Sequence, residues 1–195
     1  MKGILFVISG PSGAGKGTIL ERVLKDRQNT EFSVSATTRA PRPGEVEGVH
    51  YFFITREEFQ NRIESSSFLE WAHVHDEYYG TLRDWVRSRL DEGHDVVLDI
   101  DVQGALQIME KAVDEVFIFI AAPSIDELHR RLTKRGTESG EKIMRRLEVA
   151  RHELEHVSKY EYLIINDDLS LACEQLSAIM ASEKCRTKRL EYNLI

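Results

Sequence analysis

Cysteine, positive charge and long apolar runs are all scarce in this chain of 195 residues. The two cysteines, Cys173 and Cys185, lie late in the chain without the spacing of a metal site, which argues against a disulfide-stapled scaffold and favours a reduced protein. No apolar run reaches the ~18–20 residues that a membrane-spanning helix needs. The apolar run Gly3–Ser9 is also too short for a typical signal peptide. We therefore expect a cytoplasmic protein without a membrane partner.

The shortage of positive charge limits the partners of the protein. Lysine and arginine number 26 against 33 aspartates and glutamates, which leaves a net charge of −7. Binding to nucleic-acid phosphates needs a basic surface, so we expect no nucleic-acid partner. With 42% hydrophobic and 30% charged residues, the composition is that of a globular protein, and the length fits one domain. Any phosphate that the chain binds must be met by local charge.

Short apolar runs that alternate with helical segments predict an α/β fold. Nearly continuous runs of branched and aromatic residues are typical of strands buried on both faces of a parallel sheet. These runs are Gly3–Ser9, Asp95–Asp101, Val116–Ala122 and Glu161–Asn166. The helical segments between them are Lys16–Arg27, Trp85–Glu92, Ile125–Lys134, Glu141–His156 and Leu169–Glu183. This alternation predicts helices layered against a parallel sheet.

Two segments depart from the alternation. Residues Ser33–Gly80 are rich in Arg, Thr, Pro, Gly and aromatic residues and predict a small β-rich insertion, in which Thr55 and Glu58 form the capping box of a helix. The segment Arg130–Arg151 is basic and interrupted by glycine. Because it is charged on all sides, we expect an exposed, mobile helical flap that contributes no core.

A phosphate-binding loop is the sharpest motif. The sequence GPSGAGKGT follows a predicted strand and opens a predicted helix. Its glycines let consecutive amides curl around an anion at the positive end of the helix dipole, and Lys16 can reach the β- and γ-phosphates. The motif predicts an ATP site made of Gly10, Pro11, Ser12, Gly13, Ala14, Gly15, Lys16, Gly17 and Thr18.

The predicted cofactor is Mg²⁺, and the loop departs from the general pattern at the position that would hold it. Gly17 follows Lys16, where many such loops have a magnesium-ligating Ser or Thr. We therefore expect the ion to be held by phosphates and water rather than by a certain direct protein ligand. A carboxylate at the end of a strand can orient the metal's water shell. Asp99 and Asp101 are the candidates, with Asp99 near the ion.

A second phosphate site is predicted in the insertion. The segment SATTRAPRPGE places Arg39 and Arg42 in a loop stiffened by proline. A planar guanidinium matches phosphate oxygens through two parallel hydrogen bonds, which suits an acceptor phosphate. Arginines in loops are often simply solvated, so the functional interpretation depends on their clustering with Tyr51 and Tyr79.

In these motifs the chain closely resembles guanylate kinases, which transfer a phosphoryl group from ATP to GMP. The resemblance covers practically the whole chain in the family's order: GPSGAGKGT, SATTRAPRPGE, GVHYFF, FLEWA, YYGT, DVVLDIDVQGA, KRGTES and IIND. It implies a P-loop parallel-sheet core flanked by helices, with an inserted β-rich GMP-binding subdomain and a helical lid. Within one domain, 1–195, the core would be about 1–34, 82–126 and 156–195, the subdomain about 35–81 and the lid about 127–155.

The resemblance also implies a reaction and the residues that serve it. The reaction is the reversible, Mg²⁺-dependent conversion of ATP and GMP or dGMP to ADP and GDP, in purine nucleotide metabolism and GMP recycling. The residues expected around the guanine are Ser35, Glu70 and Thr81, and those on the GMP phosphate are Arg39, Arg42, Tyr51 and Tyr79. Asp99 and Asp101 are expected near the metal and the nucleoside, with Asp99 counted as catalytic and Asp101 as GMP-binding. The catalytic lid arginines would be Arg131, Arg135 and Arg146, and Asn166 would sit close to the adenine.

The expected role of Glu70 has a chemical reason. Guanine presents its N1–H and N2–H donors side by side, and one carboxylate accepts both. Adenine has a lone pair at N1, which would face the carboxylate unfavourably. A buried polar group left unpaired can discriminate by a factor on the order of 10⁴.

Three other functions compete with this interpretation. A peptide-binding scaffold module of the same fold would be expected to have lost the phosphate loop, whereas Lys16 is present. A P-loop kinase with a different acceptor is disfavoured by Glu70 together with Ser35 and Thr81, and a nucleic-acid-stimulated ATPase by the negative net charge. A homo-oligomer remains possible.

Overall fold

A five-stranded sheet, in which every neighbouring pair of strands is parallel, forms the centre of the molecule. The computed structural model describes residues 2–25, 27–74, 76–134 and 140–190. In sheet order the strands are β2 (Thr30–Phe32), β7 (Asp95–Asp99), β1 (Leu5–Ser9), β8 (Val116–Ala121) and β9 (Tyr162–Ile165). The predicted parallel-sheet core is confirmed.

Helices cover both faces of this central sheet. Those that pack on it are α1 (Lys16–Leu24), α3 (Arg83–Asp91), α4 (Val102–Met109) and α7 (Leu169–Lys184). The other helices of the described residues are α2 (Arg56–Glu64), which packs in a separate core, α5 (Ile125–Lys134) and α6 (Gly140–Leu154), which pack on each other, and short 3₁₀ helices at Val157–Lys159 and Thr187–Arg189. On one face Phe6 and Ile8 of β1 pack with residues of α1 and α7, and on the other Val7 packs with residues of α3 and α4. Because β1 is buried on both faces, its sequence is nearly continuously apolar rather than alternating. Among the helices of the described ranges, none combines the length and the apolar character that crossing a membrane requires.

The predicted insertion forms a second sheet. Its strands, in the order β4 (Phe52–Phe53), β3 (Ala36–Thr37), β6 (Glu77–Leu82) and β5 (Phe68–Val74), enclose a small core with α2. Phe59 of α2 stacks on Phe68 with ring centroids 4.4 Å apart. The predicted cap of α2 is confirmed, since the Thr55 hydroxyl accepts a hydrogen bond from Glu58 N–H at 3.0 Å.

The segment predicted to be a core-free flap has a small core of its own. Helices α5 and α6 pack together through apolar side chains that are mostly three or four residues apart: Leu128, Leu132, Ile143, Leu147 and Ala150. The prediction that Arg130–Arg151 is too charged to contribute core is therefore wrong, because this spacing places the apolar residues on one face of each helix. The mobility of the segment stays a prediction. Residues 135–139, which include Arg135, lie outside the described residues.

The sequence pattern did not predict helix α4 or strand β2. Asp95–Asp101 was expected to be a strand throughout, but β7 ends at Asp99 and Asp101 is the N-cap of α4. The Asp101 carboxylate accepts a hydrogen bond from Gly104 N–H at 2.8 Å. Glycine inside a helix lowers its intrinsic propensity, which hid α4. Strand β2 has only three residues, too few for a recognisable pattern.

A buried carboxylate joins the beginning of β7 to the chain before β1 and to the end of α7. Asp95 is 1% exposed, and its Oδ1 accepts a hydrogen bond from Ile4 N–H at 3.1 Å. Its Oδ2 forms an ion pair with Lys184 Nζ at 2.7 Å. The carboxylate therefore accepts a hydrogen bond from a buried backbone N–H and forms an ion pair with a lysine at the same time.

Asp95→Ala is expected to lower the free energy of unfolding by about 2 kcal/mol, because the buried Ile4 N–H loses its acceptor. Asp91→Ala is the control, since Asp91 pairs with Lys2 at 2.8 Å on the surface, where an ion pair contributes at most about 1 kcal/mol. Urea unfolding of both variants measures the difference. Equal losses would contradict the special role of Asp95.

Candidate active site

The predicted phosphate loop joins β1 to α1. Gly10 has a φ of 146°, and a Cβ there would lie 1.9 Å from Ile120 O in β8, so only glycine fits. Lys16 is the first residue of α1, and its Nζ bends back to donate a hydrogen bond to Gly10 O. A strand, glycine turns and a helix N-terminus thus stand in the order that a phosphate cradle requires.

Side chains from distant segments hold the back of this loop. Asn166 follows β9, is 5% exposed, and donates from Nδ2 to Ala14 O at 2.7 Å. Arg131 of α5 donates to Ala14 O at 3.4 Å and to Asn166 O at 2.8 Å, while Glu127 accepts from its Nε at 2.7 Å. A Cβ on Gly15 would lie 2.3 Å from Asn166 Nδ2. The loop therefore fits closely against β9 and α5.

A cleft of about 460 Å³ lies between the second sheet and the end of β7. It gathers most of the residues predicted to bind GMP: Ser35, Arg39, Arg42, Tyr51, Glu70, Tyr79 and Asp101. The remaining one, Thr81, lines an adjoining recess of about 190 Å³ that shares Ser35, Tyr51 and Asp99 with the cleft. Residues from three separate stretches of the sequence, 35–51, 70–81 and 99–101, thus face one space.

Glu45 fixes the orientation of Arg39. The Glu45 carboxylate accepts hydrogen bonds from the Arg39 guanidinium at 2.8 and 3.0 Å and from Arg42 N–H at 2.7 Å. The guanidinium carbon lies 5.3 Å from the centre of the Tyr51 ring, within the range of cation–π contacts. Hydrogen bonds from Arg39 hold the pKa of Glu45 at about 2. The charged guanidinium is thereby held on the wall of the cleft.

Glu70 is the buried acid of the cleft, with 5% exposure. It lies in a β-bulge, where Leu69 and Glu70 of β5 together face Thr81 of β6. The Thr81 hydroxyl donates to Glu70 Oε1 at 2.6 Å. Burial raises the pKa of Glu70 to about 7, assisted by the charge of Asp101 and opposed by the hydrogen bonds from Thr81. The carboxylate at this bulge is therefore enclosed by protein rather than exposed to solvent.

Asp99 connects the cleft with the phosphate loop. Its Oδ1 lies 3.9 Å from Lys16 Nζ, and burial raises its pKa. In the described ranges no three His, Cys, Asp or Glu side chains cluster closely enough to hold a metal by themselves. A single carboxylate beside the phosphates suits Mg²⁺, which usually keeps several waters and takes one or two carboxylates. The donor set at Asp99 therefore fits the ion that the sequence predicts.

The predicted lid arginines differ in their surroundings. Arg146 of α6 donates to the Ser12 hydroxyl at 3.2 Å and so touches the phosphate loop. Arg131 bonds to backbone carbonyls behind that loop and would have to leave them to reach a phosphoryl group. Arg135 lies outside the described residues. Gly17 and Thr18 are exposed at the start of α1.

Sequence reasoning missed two residues that shape the cleft, Glu45 and Gly104. Glu45 could have been found as the acid that follows Arg42 by three residues in the same loop. Gly104 lies inside α4, where a Cβ would be 2.7 Å from Glu70 Oε2. A glycine three residues after an N-cap aspartate is a signal of such close approach, because glycine is otherwise unfavourable there.

The family model, the similar sequences and the similar structure found by comparison with known proteins all carry the same description. The family model described as Guanylate kinase matches residues 2–183. A guanylate kinase of Caldanaerobacter subterraneus subsp. tengcongensis is 54% identical over 188 residues, which cover 96% of this chain and 91% of that protein. One from Thermotoga maritima is 51% identical over 189 residues, which cover 97% and 91% respectively. A crystal structure of guanylate kinase from Anaplasma phagocytophilum matches with a TM-score of 0.74 at 36% identity, over 96% of this chain and 89% of that one.

Gly104→Ala is expected to displace the Glu70 carboxylate while leaving α4 intact, because alanine favours a helix over glycine by about 1 kcal/mol. The kcat/KM for GMP should fall about tenfold, the effect of weakening one charge-assisted hydrogen bond, and the KM for ATP should hardly change. Steady-state kinetics and thermal melting of the variant test this. Gly140→Ala is the control, since a Cβ there meets nothing within 4 Å. Normal GMP kinetics in Gly104→Ala would contradict the close contact.

Proposed function

This chain belongs to the guanylate kinase family, and we propose that it transfers the γ-phosphoryl group of ATP to GMP or dGMP in a reversible reaction that yields ADP and GDP. The observation that best supports this proposal is the composition of the cleft. Arginines, a buried glutamate and an aspartate line one space, and that aspartate, Asp99, is 3.9 Å from Lys16 of the phosphate loop. Donor and acceptor phosphates can therefore meet beside Asp99.

The donor end of the reaction uses the phosphate loop. The backbone N–H groups at the start of α1 face an anion favourably, and Lys16 can exchange its bond to Gly10 O for the β- and γ-phosphates. Asn166 holds Ala14 from behind. We expect Asn166 to combine this contact with one to the adenine.

The acceptor phosphate binds to Arg39, Arg42, Tyr51 and Tyr79 in this proposal. Glu45 presents the Arg39 guanidinium with its fork already oriented, which reduces the entropy cost of binding. The acceptor phosphate needs no general base, because its second pKa is about 6 and it is mostly dianionic at neutral pH. Its oxygen is the nucleophile.

The base is read by Glu70. Its ionised carboxylate can accept both N1–H and N2–H of guanine, and the Thr81 hydroxyl restricts its rotation. Adenine would place the N1 lone pair against the same carboxylate. Ser35 and Thr81 complete the base site, near O6, and Asp101 lies close to the nucleoside.

Transfer itself depends on positioning and charge neutralisation rather than on a covalent intermediate. Mg²⁺, oriented near Asp99 through its water shell, would neutralise phosphate charge when bound. Arg146 and Arg131 supply positive charge from the α5–α6 unit, and Arg135 belongs to the same predicted set. The unit has its own apolar core, so it can close over the phosphates as one body and exclude water.

The setting of the reaction completes the proposal. We place the enzyme in the cytoplasm, in purine nucleotide metabolism and GMP recycling, with ATP and GMP or dGMP as partners. A homo-oligomer stays a prediction.

A coupled assay of ADP release with ATP and GMP, AMP, CMP or UMP tests the proposed function. GMP should be used far more efficiently than the other three acceptors. Lys16→Ala is the control, and it should abolish transfer while leaving GMP binding, measured by calorimetry, largely intact. Equal use of all four acceptors would contradict the proposal.

Glu70→Gln is expected to lower kcat/KM for GMP by roughly 10- to 1,000-fold, in keeping with the loss of a charge-assisted pair of about 1.5–3 kcal/mol. The amide can accept only one of guanine's two adjacent donors, while its NH₂ can face adenine N1. AMP use should therefore rise relative to GMP. An unchanged GMP/AMP ratio would mean that Glu70 does not read the base.

GMP binding should depend on pH through Glu70. Burial raises the pKa of this carboxyl to about 7, and guanine donors stabilise the ionised form, so binding below that pH must expel a proton. The KM for GMP should fall about tenfold between pH 6 and pH 8 as Glu70 ionises. The phosphate of GMP titrates near pH 6 as well, but it does so equally in Glu70→Gln. The ratio of wild-type to variant KM across the range isolates Glu70, and a flat ratio would contradict the assignment.

A further inference from the structure

One side of α4 faces the strand that carries Glu70. Asp101, Gly104 and Gln107 follow one another at intervals of three residues, which places them along one side of the helix. Asp101 caps the helix and Gly104 leaves room for Glu70 Oε2. Gln107 bonds to the backbone of Trp71, the residue after Glu70.

The contact between Gln107 and Trp71 is a double hydrogen bond. Trp71 N–H donates to Gln107 Oε1 at 3.2 Å, and Gln107 Nε2 donates to Trp71 O at 2.9 Å. Among the residues that the structure describes, strand β5 is at the edge of its sheet, and these backbone groups have no neighbouring strand on that side. The side-chain amide of Gln107 takes the place of a strand's peptide group.

The location of this double bond gives it a function beyond sheet closure. A bulge disrupts the ladder between β5 and β6 at Leu69 and Glu70, so pairing with β6 constrains this stretch weakly. Trp71 is the first residue after the bulge that is again in register. Gln107 therefore fixes the bulge from the opposite side, at the residue next to the carboxylate.

We propose that Gln107 is a positioning residue that sets the depth of Glu70 in the cleft and thereby the preference for guanine. The inference rests on the proposed function. Gln107 does not line the cleft itself, so it acts through the Trp71 backbone. Without its amide, β5 can move away from α4, and the carboxylate no longer meets both guanine donors.

Gln107→Met tests this, because methionine has a similar length but can make neither hydrogen bond. We expect the KM for GMP to rise about tenfold and the GMP/AMP ratio of kcat/KM to fall by a similar factor, as for loss of about one to two net hydrogen bonds. The KM for ATP and the kcat at saturating GMP should hardly change. Hydrogen exchange should accelerate at the Trp71 amide. Gln175→Met is the matched control, since Gln175 is exposed on α7, on the other face of the central sheet.

Several outcomes would overturn the inference. Unchanged constants in a folded Gln107→Met protein would do so, as would equal rises in the KM for GMP and for ATP, which indicate a merely structural role. If the methionine variant does not fold, Gln107→Glu decides, because it keeps the acceptor for Trp71 N–H and replaces the donor to Trp71 O by a carboxylate oxygen, which repels that carbonyl. It should show the same selective loss for GMP, and normal constants would overturn the inference.

Failure of the proposed function is distinguishable from failure of this inference. If the wild type does not prefer GMP, or if Glu70→Gln leaves the GMP/AMP ratio unchanged, the proposed function fails and the inference with it. If Glu70→Gln lowers the ratio and the Gln107 variants do not, only the inference fails.

Discussion

The burial of one carboxylate constrains much of this structure. Glu70 is 5% exposed, and among the described residues its hydrogen-bond donor is the neutral Thr81 rather than a cation. A buried charge without a cationic partner is expensive, which is why burial raises the pKa of Glu70 to about 7. The bulge in β5 and the missing Cβ of Gly104 provide the space for the carboxylate. A buried acid that lacks a cationic partner suits a ligand with adjacent donors, which is what guanine supplies in the proposed base site.

Unlike Glu70, the cationic groups of the site lie beside groups of opposite charge. Arg39 is paired with Glu45, and Lys16 lies close to Asp99 and bonds to Gly10 O. These local pairs let an acidic chain keep positive charge at the proposed phosphate sites. The arginine is oriented in advance by its two hydrogen bonds, whereas the lysine is a compact charge that can exchange partners. At the proposed phosphate sites, phosphate would thus be met by local charge, as expected from the composition.

Local motifs could be predicted from the sequence, and close contacts between distant segments could not. The phosphate loop is contiguous, so its strand, glycines and Lys16 specify their own geometry. The prediction that the α5–α6 segment contributes no core was wrong, because it was based on the number of charged residues. The apolar residues of each helix lie on one face, and they form a core. Helix α4 was missed because Gly104 weakens its helical signal, and the reason for that glycine is Glu70, more than thirty residues away. The positions of Asn166 and Gln107 likewise depend on tertiary contacts that spacing does not encode.

The turn from β7 into α4 links the two ends of the cleft. Asp99 closes β7 beside Lys16, and Asp101 begins α4 two residues later. The helix then runs past Glu70 at Gly104 and holds the β5 backbone at Gln107. Because one short, hydrogen-bonded segment touches both the phosphate loop and the carboxylate, the distance between them is set by helix geometry rather than by the flexible edges of two sheets. Phosphoryl transfer requires its two reactants to be aligned within a fraction of an ångström. A helix that is capped two residues after Asp99, the proposed metal-facing carboxylate, and that passes behind the proposed base site meets that requirement with few residues.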